Sequence, residues 1–272
     1  MIKGIIFDID GVICRGVNPI PGAPETVNKL KKDGYKVIFL SNLSTKSKDQ
    51  YIGKLKNFGI EVTEDEMVLA TTATALYLKK YSKTGKVFVI GAEGLKKEIS
   101  SHGLTLISDP EQAEFLVAGS PFDEEGYLRE ENRRCFTEGL RAIKSGAKFV
   151  AVNSDPVFPS KDGKLIPGTG AFIGAITFMT KVEPVIVGKP SKVIVDMAIE
   201  KMGLTPKETM IVGDQVATDM RAGRNAGIKT TLVLSGVTSK EDYEKLPKEE
   251  KELIDYVIDS VNDIYKILNK EG

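Results

Sequence analysis

Short runs of β-branched and apolar residues alternate with amphipathic stretches along almost the whole 272-residue chain. Four of these runs predict strands: GIIFDID (4–10), KVIFLS (36–41), TMIVGD (209–214) and TTLVLS (230–235). Alternation of strands and helices is typical of a parallel sheet with helices packed on its faces. The sequence therefore predicts an α/β fold.

The middle of the chain contains strand patterns of its own: KVFVIG (86–91), AEFLVAG (113–119) and AKFVAVN (147–153). We predict that residues 76–179 form an α/β domain inserted into a doubly wound, Rossmann-like core built from residues 1–75 and 180–272. The run EPVIVG (183–188) is interpreted as a further strand of that core.

Local signals predict the helices between these strands. PETVNKLKK is followed by Gly34, a residue that commonly ends a helix. In SKDQYIGKLKNFG, Ser47 and Gln50 suit a capping box, and the apolar stripe is Tyr51, Leu55 and Phe58. The stretch 191–202 predicts a helix, and TPKE (205–208) has the Thr, Pro and Glu pattern of a helix start.

Charge and composition exclude several classes of protein. Acidic and basic residues balance to a formal net charge of zero, which argues against general binding to nucleic acid or to a membrane surface. No apolar run approaches the ~20 residues that cross a bilayer, and the opening MIKGIIFDID becomes acidic too early for a signal peptide. Cys14 and Cys135 allow one bridge at most, so a reducing cytoplasm is expected, and the Lys- and Glu-rich, Trp-free composition weakly favours a heat-adapted source.

The single histidine, His102, argues against Ser-His or Cys-His catalysis and against zinc sites with several histidines. A lone histidine is more often a surface residue than a catalytic one. Carboxylates and lysines are therefore the better candidates for chemistry.

Polar residues follow the predicted strands at the point where each strand ends. Asp8 and Asp10 lie two residues apart, so both project from the same face of the first strand. The other predicted strand ends are followed by Ser41-Asn42, by Gly188-Lys189 and by Gly213-Asp214, with Asp219 in the next turn. Since ligands of open α/β sheets bind beyond the carboxyl ends of the strands, we expect these groups to converge.

Convergence of Asp8, Asp10 and Asp214 would be electrostatically costly without a cation. Each like-charge contact at ~4–5 Å costs roughly 3–4 kcal/mol at an effective dielectric of about 20. Either some carboxylates stay protonated or a cation lies among them. Oxygen ligands without His or Cys favour Mg²⁺, and Mg²⁺ in turn favours a phosphorylated substrate.

Each residue also has a simpler structural interpretation. Asp8 and Asp10 could form a turn, Asp214 and Asp219 could cap a helix, and Lys189 could be a solvated surface lysine. A calcium loop starting at DIDG is excluded by the position of its glycine, and PGTGAFIG and VGKPS lack required residues of the dinucleotide and Walker motifs. The ordered occurrence of the whole set at strand ends favours function.

Together DIDGV, SN, GKP and GDQVATD resemble the four ordered motifs of the haloacid dehalogenase-like (HAD) phosphatases. RGVNPIPGAPE, LSNLSTKS, NSDPVFPS, LIPGTGAFIGAI and VGKPS further resemble the capped class IIA branch, which includes NagD and the 4-nitrophenyl phosphatases. The resemblance covers nearly the whole chain and implies a large α/β cap between the second and third motifs.

The resemblance implies a Mg²⁺-dependent phosphatase acting on small phosphomonoesters of the 4-nitrophenyl phosphate, sugar phosphate or nucleotide type. Asp8 would be the nucleophile that forms an aspartyl-phosphate, and Asp10 the acid and base. Asp8, the backbone carbonyl of Asp10, and Asp214 would hold Mg²⁺, and Asp219 would orient Lys189 or a metal-bound water. Lys189 would offset phosphoryl charge. The substrate contacts it implies are Ser41, Asn42, Leu43 and Lys189, with Asn153 and Asp155 from the cap.

Three other functions remain open at this point. A phosphotransferase would pass the same aspartyl-phosphate to an acceptor other than water, and a non-catalytic binding or regulatory protein would retain only the fold. Dehalogenase or phosphonatase chemistry is a weaker alternative, because dehalogenation would leave the Asp10 and Asp214 pair without a role. In this branch the cap often carries the dimer contact, so the resemblance implies a homo-oligomer.

Overall fold

The structure is a computed structural model, and it describes residues 1–42, 48–159 and 164–271. The strands within these ranges are β1 (Gly4–Asp8), β2 (Cys14–Arg15), β3 (Asn18–Pro19), β4 (Lys36–Ser41), β5 (Met67–Leu69), β6 (Lys86–Ile90), β7 (Thr105–Leu106), β8 (Phe115–Ala118), β9 (Lys148–Ala151), β10 (Val157–Pro159), β11 (Leu165–Pro167), β12 (Val185–Ile186), β13 (Thr209–Gly213), β14 (Lys229–Val233) and β15 (Tyr256–Ile258).

The α-helices of the same ranges separate most of these strands. They are α1 (Ala23–Lys32), α2 (Lys48–Asn57), α3 (Ala70–Tyr81), α4 (Glu93–Ser101), α5 (Cys135–Lys144), α6 (Thr169–Thr180), α7 (Lys192–Met202), α8 (Arg221–Ala226), α9 (Lys240–Lys245), α10 (Lys248–Lys251) and α11 (Tyr265–Glu271). In the part of the chain that the structure describes, no helix combines the length and the apolar character needed to cross a bilayer. The predicted α/β fold class is confirmed.

The chain divides into two compact units. Unit 1 comprises Met1–Ser41, Lys48–Val68 and Lys189–Gly272, and unit 2 comprises Asn42–Ser47 and Leu69–Gly188. The boundaries predicted from sequence, at 75/76 and 179/180, lie inside α3 and α6.

The sheet of unit 1 has the strand order β15-β14-β13-β1-β4-β5. The first strand, β1, is central, and it pairs in parallel with β4 on one side and with β13 on the other. The chain thus builds outward in one direction and later in the other, which places the reversal point beside β1. Phe7, Phe39, Ile5 and Ile6 are fully buried on these strands and anchor their carboxyl ends.

The interpretation of EPVIVG as a strand of the core is wrong. Only Val185–Ile186 is extended, and this strand, β12, pairs in parallel with Val150 and Ala151 of β9 in the sheet of unit 2. A short apolar run satisfies the edge of any parallel sheet, so its sequence pattern does not identify its partner.

The sheet of unit 2 has the order β12-β9-β8-β6-β7. The runs KVFVIG, AEFLVAG and AKFVAVN supply its neighbouring parallel strands β6, β8 and β9, as predicted. Helices α5 and α6 pack on this sheet through a cluster that includes Cys135, Ala142, Phe172 and Ile176.

Several local predictions can be compared with the structure. Helix α2 buries Tyr51 and Leu55, whereas Phe58 follows the end of the helix and is half-buried. Ser47 of the expected capping box lies outside the described residues. Residues 205–208 do form a capping box, but they enclose a single 3₁₀ turn (Pro206–Glu208) that leads directly into β13. Both Cys14 and Cys135 are free and buried, so the bridge considered from sequence does not form.

Candidate active site

The candidate site in unit 1 begins at the carboxyl end of β1. Asp8 is the last residue of this strand and is 8% exposed, and it lies beside Leu40 of β4. On the other side, Phe7 pairs with Val212 of β13, so the end of β13 lies next to Asp8. Parallel pairing of β1 with β13 therefore brings two strand ends, and the aspartates that follow them, to one place.

Lys189 lies between two buried carboxylates. Its Nζ is 2.7 Å from Oδ1 of Asp8 and 2.5 Å from Oδ1 of Asp219, and its side chain is 4% exposed. Lys189 precedes α7, which starts after Ser191, whose side chain accepts a hydrogen bond from the Val193 N–H. Lys189 therefore lies at the site even though EPVIVG is not a strand of the core sheet.

Asp219 is held by a wide helical turn (Val216–Met220) that follows β13 and leads into α8. Its N–H donates to the Gln215 carbonyl, as does the N–H of Met220, and its Oδ2 accepts from the Gln215 N–H. A Cβ at position 213 would overlap the Asp219 side chain, so Gly213 permits this close approach. Asp219 is fully buried with both oxygens engaged.

Asp214 is held by backbone on one side and is unpaired on the other. Its Oδ2 accepts a 2.7 Å hydrogen bond from the Val237 N–H. Side chains at Gly11, which has φ +85°, or at Gly236 would overlap the Asp214 carboxylate. Its Oδ1, in contrast, is buried and has no hydrogen-bond partner within the described ranges. Because an unpartnered buried oxygen is costly, this atom is a candidate metal ligand.

The pKa values show that positive charge is scarce in this cluster. Burial raises the pKa of Asp8 well above its usual range, and the carboxylates of Asp219 and Asp214 add to this while Lys189 opposes it. Burial, followed by repulsion from Asp219, raises the pKa of Asp214 to about 7. Burial disfavours the charge on Lys189, but Asp219 and Asp8 outweigh it and raise its pKa. One ammonium thus faces three carboxylates.

The donor set fits a hard divalent cation. Oxygen atoms of Asp8, Asp214 and Asp219 all lie within 4.8 Å of one another. Since both oxygens of Asp219 are already engaged, Asp8 and the unpartnered Oδ1 of Asp214 are the better ligands. Oxygen-only ligands are those preferred by Mg²⁺.

Asp10 lies in a different environment from Asp8. Its side chain is 40% exposed, and its Oδ1 is 3.1 Å from Nζ of Lys54 and 3.5 Å from Sγ of Cys14. Burial works against the charge of Lys54, but Asp10 and Cys14 together raise its pKa. Burial and Asp10 raise the pKa of Cys14 to about 11, so this thiol stays protonated.

Ser41 ends β4 and is buried, and its hydroxyl lies 3.4 Å from that of Tyr51 on α2. Burial, and then the charge of Asp10, raise the pKa of Tyr51. Helix α2 therefore carries two residues, Tyr51 and Lys54, that contact predicted site residues.

The remaining predicted site residues belong to unit 2. Nδ2 of Asn153 donates a 2.7 Å hydrogen bond to the carbonyl of Asn42, and Nδ2 of Asn42 lies 3.3 Å from Oδ1 of Asp155. Asn42 and Asn153 are both buried. Leu43 lies outside the described residues. Within unit 2, Asn42, Asn153 and Asp155 thus form one hydrogen-bonded group.

Sequence reasoning missed Lys54 and the backbone support of Asp214. Lys54 occupies an ordinary polar position of an amphipathic helix, 44 residues from Asp10, so its sequence carries no signal of the contact. Gly236 and Val237 follow the end of β14, and the strand-end reasoning applied to β1, β4 and β13 could have included them.

Comparison with known proteins places this site in a family. Residues 5–105 match the family model of haloacid dehalogenase-like hydrolases, and residues 186–264 match a HAD-hydrolase-like model. The curated relative 5'-nucleotidase YutF of Bacillus subtilis is 37% identical over 239 residues, which cover 88% of this chain and 90% of that protein.

Solved structures give the same result. The p-nitrophenyl phosphatase of Archaeoglobus fulgidus has a TM-score of 0.89 and 43% identity, covering 97% of this chain and 98% of that one. NagD of E. coli K-12 has a TM-score of 0.82 and 29% identity, covering 96% of this chain and 98% of that one. The glycerol phosphate phosphatase Rv1692 of Mycobacterium tuberculosis, solved in complex with magnesium, has a TM-score of 0.83 and 25% identity, covering 96% of this chain and 76% of that one.

These matches extend along nearly the whole chain and include several named phosphatases. The chain belongs to the haloacid dehalogenase-like hydrolases, in their class IIA branch, and is a phosphoric monoester hydrolase.

Proposed function

We propose that this phosphatase is Mg²⁺-dependent and hydrolyses small phosphomonoesters through an aspartyl-phosphate on Asp8. The observation that carries the proposal is the buried Asp8, which is ion-paired with Lys189 and close to a second aspartate, Asp214. The Oδ1 atom of Asp214 is buried and has no hydrogen-bond partner among the described residues. A carboxylate nucleophile and an oxygen-only metal site are what phosphoryl transfer of this type requires.

In the first step Asp8 attacks phosphorus in line, and the bond between phosphorus and the ester oxygen breaks. Asp8 is fixed for this attack by the end of β1 and by its 2.7 Å contact with Lys189. In this proposal the Lys189 ammonium would also offset the charge of the phosphoryl oxygens. Asp219, through its 2.5 Å contact, holds Lys189 in that position.

Asp8, Asp214 and the backbone carbonyl of Asp10 would hold Mg²⁺. When bound, the ion supplies positive charge beside the phosphoryl group and keeps the nucleophile ionised. The scarcity of positive charge around Asp8 and Asp214, seen in their raised pKa values, supports such an ion.

Asp10 is the proposed acid and base. It protonates the leaving alcohol in the first step and accepts a proton from the water that hydrolyses the aspartyl-phosphate in the second. Its 40% exposure supports this role, since a group that exchanges protons with water and substrate must remain accessible.

The proposed substrate contacts are those that the family resemblance implies. Ser41, Asn42 and Leu43 would bind the phosphoryl oxygens with Lys189, and Asn153 and Asp155 would act from the inserted domain. In unit 2, Asn153 donates a hydrogen bond to the Asn42 carbonyl, so we propose that Asn153 holds the Asn42 backbone in position. We also propose that the inserted domain selects the leaving group and forms the contact of a homo-oligomer.

The proposal is tested by phosphate release from a panel of 4-nitrophenyl phosphate, sugar phosphates, nucleotides and phosphoglycolate. We expect turnover with Mg²⁺ and loss of turnover in EDTA. Inactivity across the panel with Mg²⁺ present would contradict the proposal, and full turnover in EDTA would contradict its metal requirement.

A further inference from the structure

A lysine that the proposed reaction does not use contacts the proposed acid and base. Lys54 of α2 places its Nζ 3.1 Å from Oδ1 of Asp10, and its side chain is only 14% exposed. Lys56, two residues further along the same helix, is exposed. A long lysine side chain loses conformational freedom when it is fixed, so a largely buried Lys54 requires a compensating interaction.

The contact constrains one oxygen of the carboxylate. Both hydrogen-bond or ion-pair contacts that Asp10 makes with described residues involve Oδ1, one with Lys54 and one with the Cys14 thiol. The backbone around Asp10 is also fixed, because the Gly11 N–H donates to the Cys14 carbonyl at 2.7 Å. The Asp10 side chain is therefore held at one oxygen, with the other available for a proton that is shared with substrate.

The helix that carries Lys54 is itself anchored at the site. Tyr51, one turn before Lys54, is fully buried and its hydroxyl lies 3.4 Å from that of Ser41. The Lys54 ammonium lies 6.0 Å from the centre of the Tyr51 ring. Lys54 therefore approaches Asp10 from a helix of unit 1 that is packed against the end of β4 through Tyr51.

We propose that Lys54 is a positioning residue that orients the Asp10 carboxylate toward the leaving-group oxygen, and that it thereby determines how well the enzyme expels poor leaving groups. This inference rests on the proposed role of Asp10 as acid and base. As the bond from Asp8 to phosphorus forms and the ester bond breaks, Asp10 gives its proton to the departing oxygen. Asp10 later receives a proton from the attacking water, and Lys54 keeps its own protons throughout.

Leaving-group chemistry separates this role from a structural one. The 4-nitrophenolate ion departs with little need of a proton, whereas an alkoxide requires one in the transition state. Misorientation of Asp10 should therefore slow alkyl phosphates far more than 4-nitrophenyl phosphate. A general loss of folded protein would slow both substrates equally.

The experiment compares kcat/KM, which reports the steps through leaving-group departure, for 4-nitrophenyl phosphate and for glycerol 2-phosphate or another alkyl phosphate that the wild type turns over. The variants are Lys54→Met, Lys54→Arg and, as the reference, Asp10→Asn, with Lys56→Met as the control on the same helix. Lys54→Gln replaces Lys54→Met if the latter fails to fold in a thermal unfolding assay.

We expect Lys54→Met to lower kcat/KM about 10- to 100-fold for the alkyl phosphate and about 3-fold or less for 4-nitrophenyl phosphate. Lys54→Arg should recover most of the alkyl phosphate activity, and Lys56→Met should match the wild type on both substrates. Asp10→Asn should show the same leaving-group dependence with larger losses.

Equal losses on both substrates in Lys54→Met, or wild-type values on both, would overturn the inference while Asp10→Asn still shows leaving-group dependence. If Asp10→Asn itself shows no such dependence, the acid role of Asp10 fails, and the inference about Lys54 fails with it.

Discussion

Asp8 ends β1 and Asp10 lies two residues beyond it, and each of these aspartates forms an ion pair with a lysine. The surroundings of the two pairs differ. Asp8 and Lys189 are 11% and 4% exposed at their side chains, and Lys189 has a second carboxylate partner in Asp219. Asp10 is 40% exposed at its side chain. Its partner Lys54 comes from α2, whereas Lys189 lies in the segment that leads into α7.

This difference in burial explains how neighbouring aspartates can serve as a nucleophile and as an acid and base. The buried pair of Asp8 and Lys189 keeps the nucleophile in one position, because any movement would leave a charge buried and unpaired. The more exposed pair of Asp10 and Lys54 leaves the Asp10 carboxylate accessible to water and substrate, as proton transfer requires. Asp8 is the last residue of β1 and Asp10 lies two residues beyond it, and their different burial separates their proposed roles.

Of the substitutions considered, replacement of Asp8 in the buried pair with Lys189 should lower turnover most. Asp8→Asn should lower turnover of 4-nitrophenyl phosphate by about 10³-fold or more, because an amide cannot act as the nucleophile. Steady-state assays with Mg²⁺ measure the loss, and circular dichroism checks that the variant is folded. Turnover near that of the wild type would remove Asp8 from its proposed role.

The two lysines should differ in their effect on stability. Lys189→Met leaves Asp8 and Asp219 buried without their cation and should lower the free energy of unfolding by about 3–5 kcal/mol. Lys54→Met removes a pair whose carboxylate is 40% exposed and should cost about 1 kcal/mol or less. Urea denaturation of both variants at neutral pH measures the difference, and equal losses would show that the two pairs are not distinguished by burial.

The buried carboxylates should make the metal-free protein less stable as pH rises. Burial and Asp219 raise the pKa of Asp214 to about 7, so the folded state holds a proton that the unfolded state has already released. This contribution is present below the unfolded pKa of about 3.9 and is lost as pH rises through the folded value. The raised pKa of Asp8 acts in the same direction.

In EDTA, the free energy of unfolding should therefore fall between pH 5 and pH 8, as measured by urea denaturation. Mg²⁺ at about 100 times its dissociation constant should restore about 2.7 kcal/mol at the upper pH. Asp214→Asn is the control: it should flatten the decline and reduce the response to Mg²⁺. Stability that rises with pH in EDTA, or that ignores Mg²⁺, would contradict this account of the cluster.

The smallest effect is expected at Cys14, the second contact of Asp10. Its thiol is a weak donor at 3.5 Å, so Cys14→Ala should change kcat/KM by about 3-fold or less on both aryl and alkyl phosphates. If Cys14→Ala matches Lys54→Met in its leaving-group dependence, the thiol contributes to orienting Asp10 as much as the ammonium does.

The strand ends could be predicted from sequence because the chain alternates clearly between strands and helices. That alternation predicts a parallel sheet whose strands end at one edge, and in the structure the pairing of β1 with β13 brings Asp8 and Asp214 together. The partner of EPVIVG could not be predicted, since its apolar pattern suits either sheet. Lys189 joins Asp8 nonetheless, because it begins the segment that leads into α7.

Long-range side-chain contacts were beyond sequence reasoning. Lys54 has the pattern of a solvated helix residue, and only the packing of α2 reveals its contact with Asp10. The unpartnered Oδ1 of Asp214 likewise depends on the loop at Gly236 and Val237, which engages only the other oxygen. Such contacts depend on the placement of whole elements, which local periodicity does not specify.

If Asp8 becomes phosphorylated during turnover, the Asp10→Asn variant should reveal it. Without its base, this variant should hydrolyse the aspartyl-phosphate slowly and accumulate it from 4-nitrophenyl phosphate and Mg²⁺. Acid quenching followed by peptide mass spectrometry should then find phosphate on Asp8, together with a burst of nitrophenolate that approaches one equivalent per active site. Continued turnover with neither a burst nor phosphate on Asp8 would contradict the account.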